Sequence, residues 1–106
     1  MRRKQQSIQM SLQKVNETDN TAEVILYGSR ARGENKRNSD WDVMILLNRK
    51  NVDKKVEQTF RHNLLDVEVE IGVPISVFVY SKSDWEGKYS ITPLFKSIKK
   101  EGILIP

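Results

Sequence analysis

The sequence predicts an α/β (α+β) fold, a small mixed β-sheet with helices packed on it in the order α-β-β-α-β-α. Three observations predict it. Two apolar, partly β-branched runs, residues 22–27 and 40–47, are bounded by glycine or polar clusters, as buried strands are. An apolar series at helical spacing, Val56, Phe60, Leu64, Val67 and Ile71, leads to a third such run at residues 75–80. A chain of 106 residues holds one core's worth of sequence, so 1–106 is read as a single domain.

The elements follow in order. Ile8, Leu12 and Val15 share one helical face, which predicts an amphipathic helix ending before Thr18-Asp19-Asn20. The first strand stops at Gly28. The second, Asp40 to Leu47, is closed by Asn48-Arg49-Lys50-Asn51. The long helix has Gly72 placed as its stop, and Pro74 precedes the third strand, where a missing N–H does least harm to the ladder. Ser83 and Glu86 have capping-box spacing for one helical turn. Thr92 as N-cap, Pro93 at the first helical position and Gly102 after the last mark a final helix.

Composition narrows the chemistry. With 38% hydrophobic and 30% charged residues the chain resembles a globular protein and not a disordered one. The basic start Met1-Arg2-Arg3-Lys4 is not followed by the apolar stretch of a signal peptide, and no run approaches the roughly 20 residues of a membrane span. No membrane association is expected, and the expected location is the cytoplasm. Without cysteine, any metal must be held mainly by oxygen, which favours hard cations. The net charge of +4 suits a polyanionic partner, although much of it sits in Arg2-Arg3-Lys4 and in residues 96–100, where solvated faces are common.

The informative stretch is Gly28-Ser29-Arg30-Ala31-Arg32-Gly33 followed by Ser39-Asp40-Trp41-Asp42. Residues two apart on a strand share a face, about 6.6 Å apart, so the carboxylates of Asp40 and Asp42 can converge on one cation while Trp41 points the other way. Two such charges repel, and bound Mg²⁺ relieves the repulsion while leaving positions for phosphate oxygens. Upstream, Gly28 admits a ligand close to the backbone, the Ser29 hydroxyl and following N–H groups can donate to phosphate, and Arg30 and Arg32 add positive charge. Either half alone is commonplace. Together, one ending a buried strand and the other opening the next, they are specific. Gly28 and Gly33 also have P-loop spacing, but Glu34 and Asn35 stand where that loop needs Lys and Ser or Thr.

Tyr27-Gly28-Ser29-Arg30-Ala31-Arg32-Gly33 with Ser39-Asp40-Trp41-Asp42-Val43 closely resembles the nucleotidyltransferase superfamily typified by DNA polymerase β, and its minimal members most of all. The similarity extends to the later helix, the third strand and the tail Ile91-Thr92-Pro93-Leu94-Phe95. The resemblance implies the nucleotidyltransferase fold, with Gly28 and Ser29 binding the triphosphate, helped by Arg30 and Arg32. It implies Asp40 and Asp42 as catalytic residues and ligands of Mg²⁺, with Mn²⁺ as a substitute, and attack at the α-phosphate of an NTP, ATP being expected.

One departure matters. The superfamily usually carries a third carboxylate on the third strand, whereas here residues 74–80 contain no acid and Ser76 aligns with its position. Glu68, Glu70 and Asp84 lie nearby and leave a substitute ligand open, though each also reads as an ordinary surface carboxylate. His62 reads as surface, and Trp41, Trp85 and Phe95 as packing residues rather than base-stacking ones.

Two functions follow from the resemblance. The first is an enzyme transferring NMP to a hydroxyl on a protein, RNA or small molecule. The second is a catalytically weak or inactive nucleotide-binding antitoxin that partners a HEPN-like helical protein, as minimal members of the group do. A general nucleic-acid binder ranks third, since no aromatic–basic binding signature is present.

Overall fold

The computed structural model describes residues 8, 12–28 and 40–105, and its architecture grows from strand β2, Trp41–Leu47. Successive side chains of a strand point to opposite faces, and here both faces are covered. Trp41, Val43, Ile45 and Leu47 enter one apolar cluster, while Met44 and Leu46 enter a second on the other side. That explains why the run is almost continuously apolar and not alternating.

β1 (Glu23–Tyr27) pairs antiparallel with β2, and β3 (Ile75–Ser81) pairs parallel with it on the other side. A parallel neighbour needs a crossover, which α2 (Lys54–Ile71) supplies between β2 and β3. α2 buries Phe60, Leu64 and Val67 in the first cluster, beside Ile8, Leu12 and Val15 from the N-terminal helical segment. The described part of that segment includes α1, Val15–Thr18, tied to α2 by Lys14 to Glu70 at 3.2 Å and Asn63 Nδ2 donating to Thr18 Oγ1 at 2.7 Å. Both ends of α2 are satisfied locally. The Asp53 carboxylate accepts from the Val56 N–H, and Gly72 closes the helix at φ +72°, with its N–H on the Glu68 carbonyl.

On the second face lie α3 (Lys82–Glu86) and α4 (Pro93–Glu101). They bury Trp85 and Ile98 against Met44 and Leu46, with Tyr80, Tyr89 and Phe95 packed around them. Rings follow one another there: Tyr80 stacks on Trp85 at 5.6 Å and Trp85 meets Phe95 at 5.2 Å. Trp41, Trp85 and Phe95 are therefore packing residues, as read from the sequence. Thr92 caps α4 with Pro93 in its first turn, and the chain leaves it at Gly102.

The structure departs from the expectation at the N-terminal helix, which runs through Thr18, at the C-terminus and at the cap of α3. After α4 a short strand, β4 (Ile103–Ile105), pairs antiparallel with β1, so the sheet has the order β3-β2-β1-β4. The cap of α3 is Ser81 and not Ser83: the Ser81 hydroxyl accepts from the Asp84 N–H, and the Ser83 hydroxyl shares a hydrogen bond with it at 3.0 Å. The strand runs one residue further than expected, which shifts the cap with it.

Gly72 gives a test of the α2 stop. A Cβ there would meet nothing within 4 Å, so Gly72→Ala isolates the cost of the left-handed backbone. The expected loss is about 1 kcal/mol in chemical denaturation, and an unchanged midpoint would contradict the conformation.

Candidate functional site

The site forms where β1 stops and where β2 and β3 begin. Because β1 and β2 are antiparallel and β2 and β3 parallel, Tyr27, Asp42 and Ser76 fall in one row across three strands. The two-residue period puts them on the sheet's second face, with Met44 and Phe78 in the next row. Ile75 and Val77 point into the first cluster, so Ser76 faces the other way, beside Asp42.

Asp40 lies just before β2 and is exposed, whereas Asp42 is half-buried. The Ser76 hydroxyl donates to Asp40 Oδ2 at 3.2 Å, which brings all three side chains together. Burial raises the pKa of Asp42, and repulsion from Asp40 raises it further. Tyr27 borders the same carboxylate. Its hydroxyl is pushed up to about 12, by burial first and then by Asp42 and Tyr80, and it stays protonated at neutral pH. The sequence carries Tyr27 only as the first residue of the Tyr27–Gly33 motif, with no role assigned; its place in the row comes from strand register.

Gly28 follows Tyr27 with φ +79°, a conformation that favours glycine. A Cβ built there would collide with the carboxylate of Asp42. The glycine thus clears the space that Asp42 occupies. Of the other predicted phosphate-binding residues, Ser29, Arg30 and Arg32 lie outside the described residues.

The carboxylates considered as substitute third ligands are engaged elsewhere. Glu68 accepts from the Ile75 N–H at 2.7 Å, Glu70 pairs with Lys14, and Asp84 lies 3.8 Å from Lys88. Among the described residues, no third Asp, Glu or His joins Asp40 and Asp42. His62 is exposed on α2.

The arrangement can hold a hard cation through two carboxylates, one of them partly desolvated, beside an open backbone. In the ion-free state it stores repulsion between Asp40 and Asp42.

Comparison with known proteins gives a matching result. The nucleotidyltransferase domain profile matches residues 8–105. A crystal structure of a toxin-antitoxin with AMP-PNP is similar at a TM-score of 0.66 and 14% identity, over 92% of this chain and 72% of that one. At that identity the likeness is one of fold. No curated relative matches the sequence.

The raised pKa of Asp42 carries a sign that can be measured. A carboxyl with a raised folded pKa binds more protons in the native state than in the unfolded one, so its contribution to stability falls as pH rises through that window. Asp42→Asn should therefore stabilise the metal-free domain near neutral pH, by at most about 1 kcal/mol because the carboxylate is partly solvated and screened. The gain should shrink as pH approaches 4, the region of the ordinary carboxylate value. Thermal melts across that range in a chelator check it, and a destabilised variant would contradict the assignment.

Proposed function

The chain belongs to the nucleotidyltransferase domain family, and from that premise we propose that it transfers a nucleotide from an NTP, with ATP the expected donor, to a hydroxyl on another molecule. The observation that carries this reading is the meeting of Asp40, Asp42, Ser76 and Gly28 at one end of the sheet. The donor set fits Mg²⁺, with Mn²⁺ as a substitute: both side chains offer hard oxygen, and their mutual repulsion favours a cation. When bound, the ion supplies charge neutralisation and polarisation at the phosphates.

The chain's own residues do the rest by placement. Asp40 and Asp42 would hold the ion at this end of the sheet, and the Ser76 hydroxyl donates to the Asp40 carboxylate and orients it. Gly28 leaves its backbone open beside Asp42, and Ser29, Arg30 and Arg32 follow directly in sequence to hold the triphosphate. The acceptor oxygen bonds to the α-phosphorus, the bond to the bridging oxygen breaks, pyrophosphate leaves, and the hydroxyl proton passes to solvent. The acceptor is a protein, RNA or small molecule. Among the described residues no helix is long and apolar enough to cross a membrane.

Ser76 favours a second reading. In place of the superfamily's third carboxylate it leaves, among the described residues, no carboxylate beside Asp40 and Asp42 to take the acceptor's proton, which suits a slow enzyme or a nucleotide-binding antitoxin. The toxin-antitoxin neighbour supports a protein partner, and a HEPN-like helical protein is the proposed one. Incubation with labelled NTPs, Mg²⁺ or Mn²⁺ and cell extract separates the readings. Transfer of label to a discrete acceptor supports the enzyme, and nucleotide binding without transfer supports the binding role.

Ser76→Asp should raise the transfer rate, toward the roughly 10²–10⁴-fold that a positioned base contributes. A folded variant with no gain at saturating Mg²⁺ would show that the third-carboxylate position is not what limits turnover. Ser29→Ala should weaken triphosphate binding by about 0.5–1.5 kcal/mol, the net value of one hydrogen bond, while the exposed Ser97→Ala leaves it unchanged. Equal effects from the two would place the phosphate cradle elsewhere.

A further inference from the structure

Phe78 stands apart from the other exposed apolar side chains. Among the described residues those others, Leu65, Val69, Ile91, Leu94 and Leu104, are aliphatic, whereas Phe78 leaves an aromatic ring 42% exposed. Its position matters as much as its exposure. In the parallel ladder Asp42 pairs with Ser76 and Met44 with Phe78, so the ring lies on the face of the candidate site, two residues beyond Ser76. Strand geometry puts Ser76 about 4.8 Å across from Asp42, and Phe78 about 6.6 Å further along β3.

The ring is held from one side. It lies nearly parallel to the Tyr80 ring, 6.2 Å away and 15° apart, and Tyr80 packs in turn on Trp85 and Tyr89 at 5.6 and 5.1 Å. Tyr80 belongs to the second apolar cluster, and Phe78 stands beyond its cover, between Tyr80 and Ser76 along the strand.

We propose that Phe78 is the acceptor platform of the transfer reaction: its ring carries a flat, uncharged aromatic group of the acceptor and so brings the adjoining hydroxyl to the ion. The assignment rests on the transfer reading given above, and the order of groups across the sheet selects the occupant. In that reading Gly28 and the residues after it hold the triphosphate on the β1 side, with the ion at Asp40 and Asp42 in the middle. In-line displacement sets the attacking oxygen opposite the departing pyrophosphate. The acceptor therefore enters from the β3 side, where Phe78 offers its ring. The bonds made and broken are unchanged: acceptor oxygen to α-phosphorus forms, the bond to pyrophosphate breaks, and the hydroxyl proton goes to solvent.

The chemistry of β3 narrows the acceptor further. Its sequence, Ile-Ser-Val-Phe-Val-Tyr-Ser, carries no charge, so the strand has no cation for the phosphates of a nucleic-acid acceptor. An uncharged ring needs none and gains from stacking.

Two affinities measured on the full chain test the assignment. One is for α,β-methylene-ATP with Mg²⁺, in which the bond to be broken is blocked. The other is for benzyl alcohol added to that complex and followed by NMR shift changes, with cyclohexylmethanol as its non-aromatic counterpart. The loaded wild type should bind benzyl alcohol the tighter of the two. Phe78→Leu keeps apolar bulk and loses the flat ring; it should weaken benzyl alcohol binding by about three- to tenfold, the worth of one aromatic pair, and remove the preference. Phe78→Tyr should retain both. All three proteins should bind the nucleotide equally and give the same far-UV circular dichroism. No benzyl alcohol binding to the loaded wild type, or equal affinity in wild type and Phe78→Leu, would overturn the proposal. So would a matching loss of nucleotide affinity in Phe78→Leu, which would put the nucleobase and not the acceptor on the ring. A wild type that binds no nucleotide with Mg²⁺ would instead refute the transfer reading, and the assignment with it.

Discussion

The alternation of β2 is the constraint on which the rest depends. With odd-numbered residues in one apolar cluster and even-numbered residues facing the other, a one-residue slip would exchange every side chain between faces. Asp42 would then enter the cluster that holds Val43 and Ile45, an unpaired carboxylate among aliphatic side chains. The register is therefore fixed by the cost of that exchange. Fixing it sets Asp42 in a row with Tyr27 and Ser76, because the neighbouring strands take their register from β2.

The site is built at the point where this apolar order gives way. Along the second face of β2, Met44 and Leu46 are covered by Trp85, Ile98 and their aromatic neighbours, while Asp42 lies at the strand's beginning, half-buried. Partial burial raises the cost of its charge, and Asp40 raises it again. A stable scaffold thus holds two carboxylates in an arrangement that is unfavourable without a cation. Gly28 is part of the same economy of space, since any side chain there would displace Asp42.

Much of this was legible in the sequence, where the structure is set by local periodicity or by turn residues. The long helix with its Gly72 stop, the Thr92-Pro93 start of the last helix and the three main strands follow from such patterns. β4 was not legible, because three residues carry no period and its existence depends on antiparallel pairing with β1, some 80 positions away. The nearness of Tyr27 to Asp42 was not legible for a related reason: it is a matter of cross-strand register. The position of Ser76 on the third strand could be read, since the resemblance gave it. Its hydrogen bond to Asp40 could not. The remaining expected phosphate-binding residues lie between β1 and β2, outside the described residues.

The central claim is that Asp40 and Asp42 act together to hold the ion through which a triphosphate is bound. Titrating Mg²⁺ while measuring NTP affinity, in the wild type and in the Asp40→Asn/Asp42→Asn double variant, tests it most directly. The account predicts affinity that rises with Mg²⁺ in the wild type and stays flat in a double variant that remains folded. Equal, Mg²⁺-dependent affinity in both proteins would contradict it.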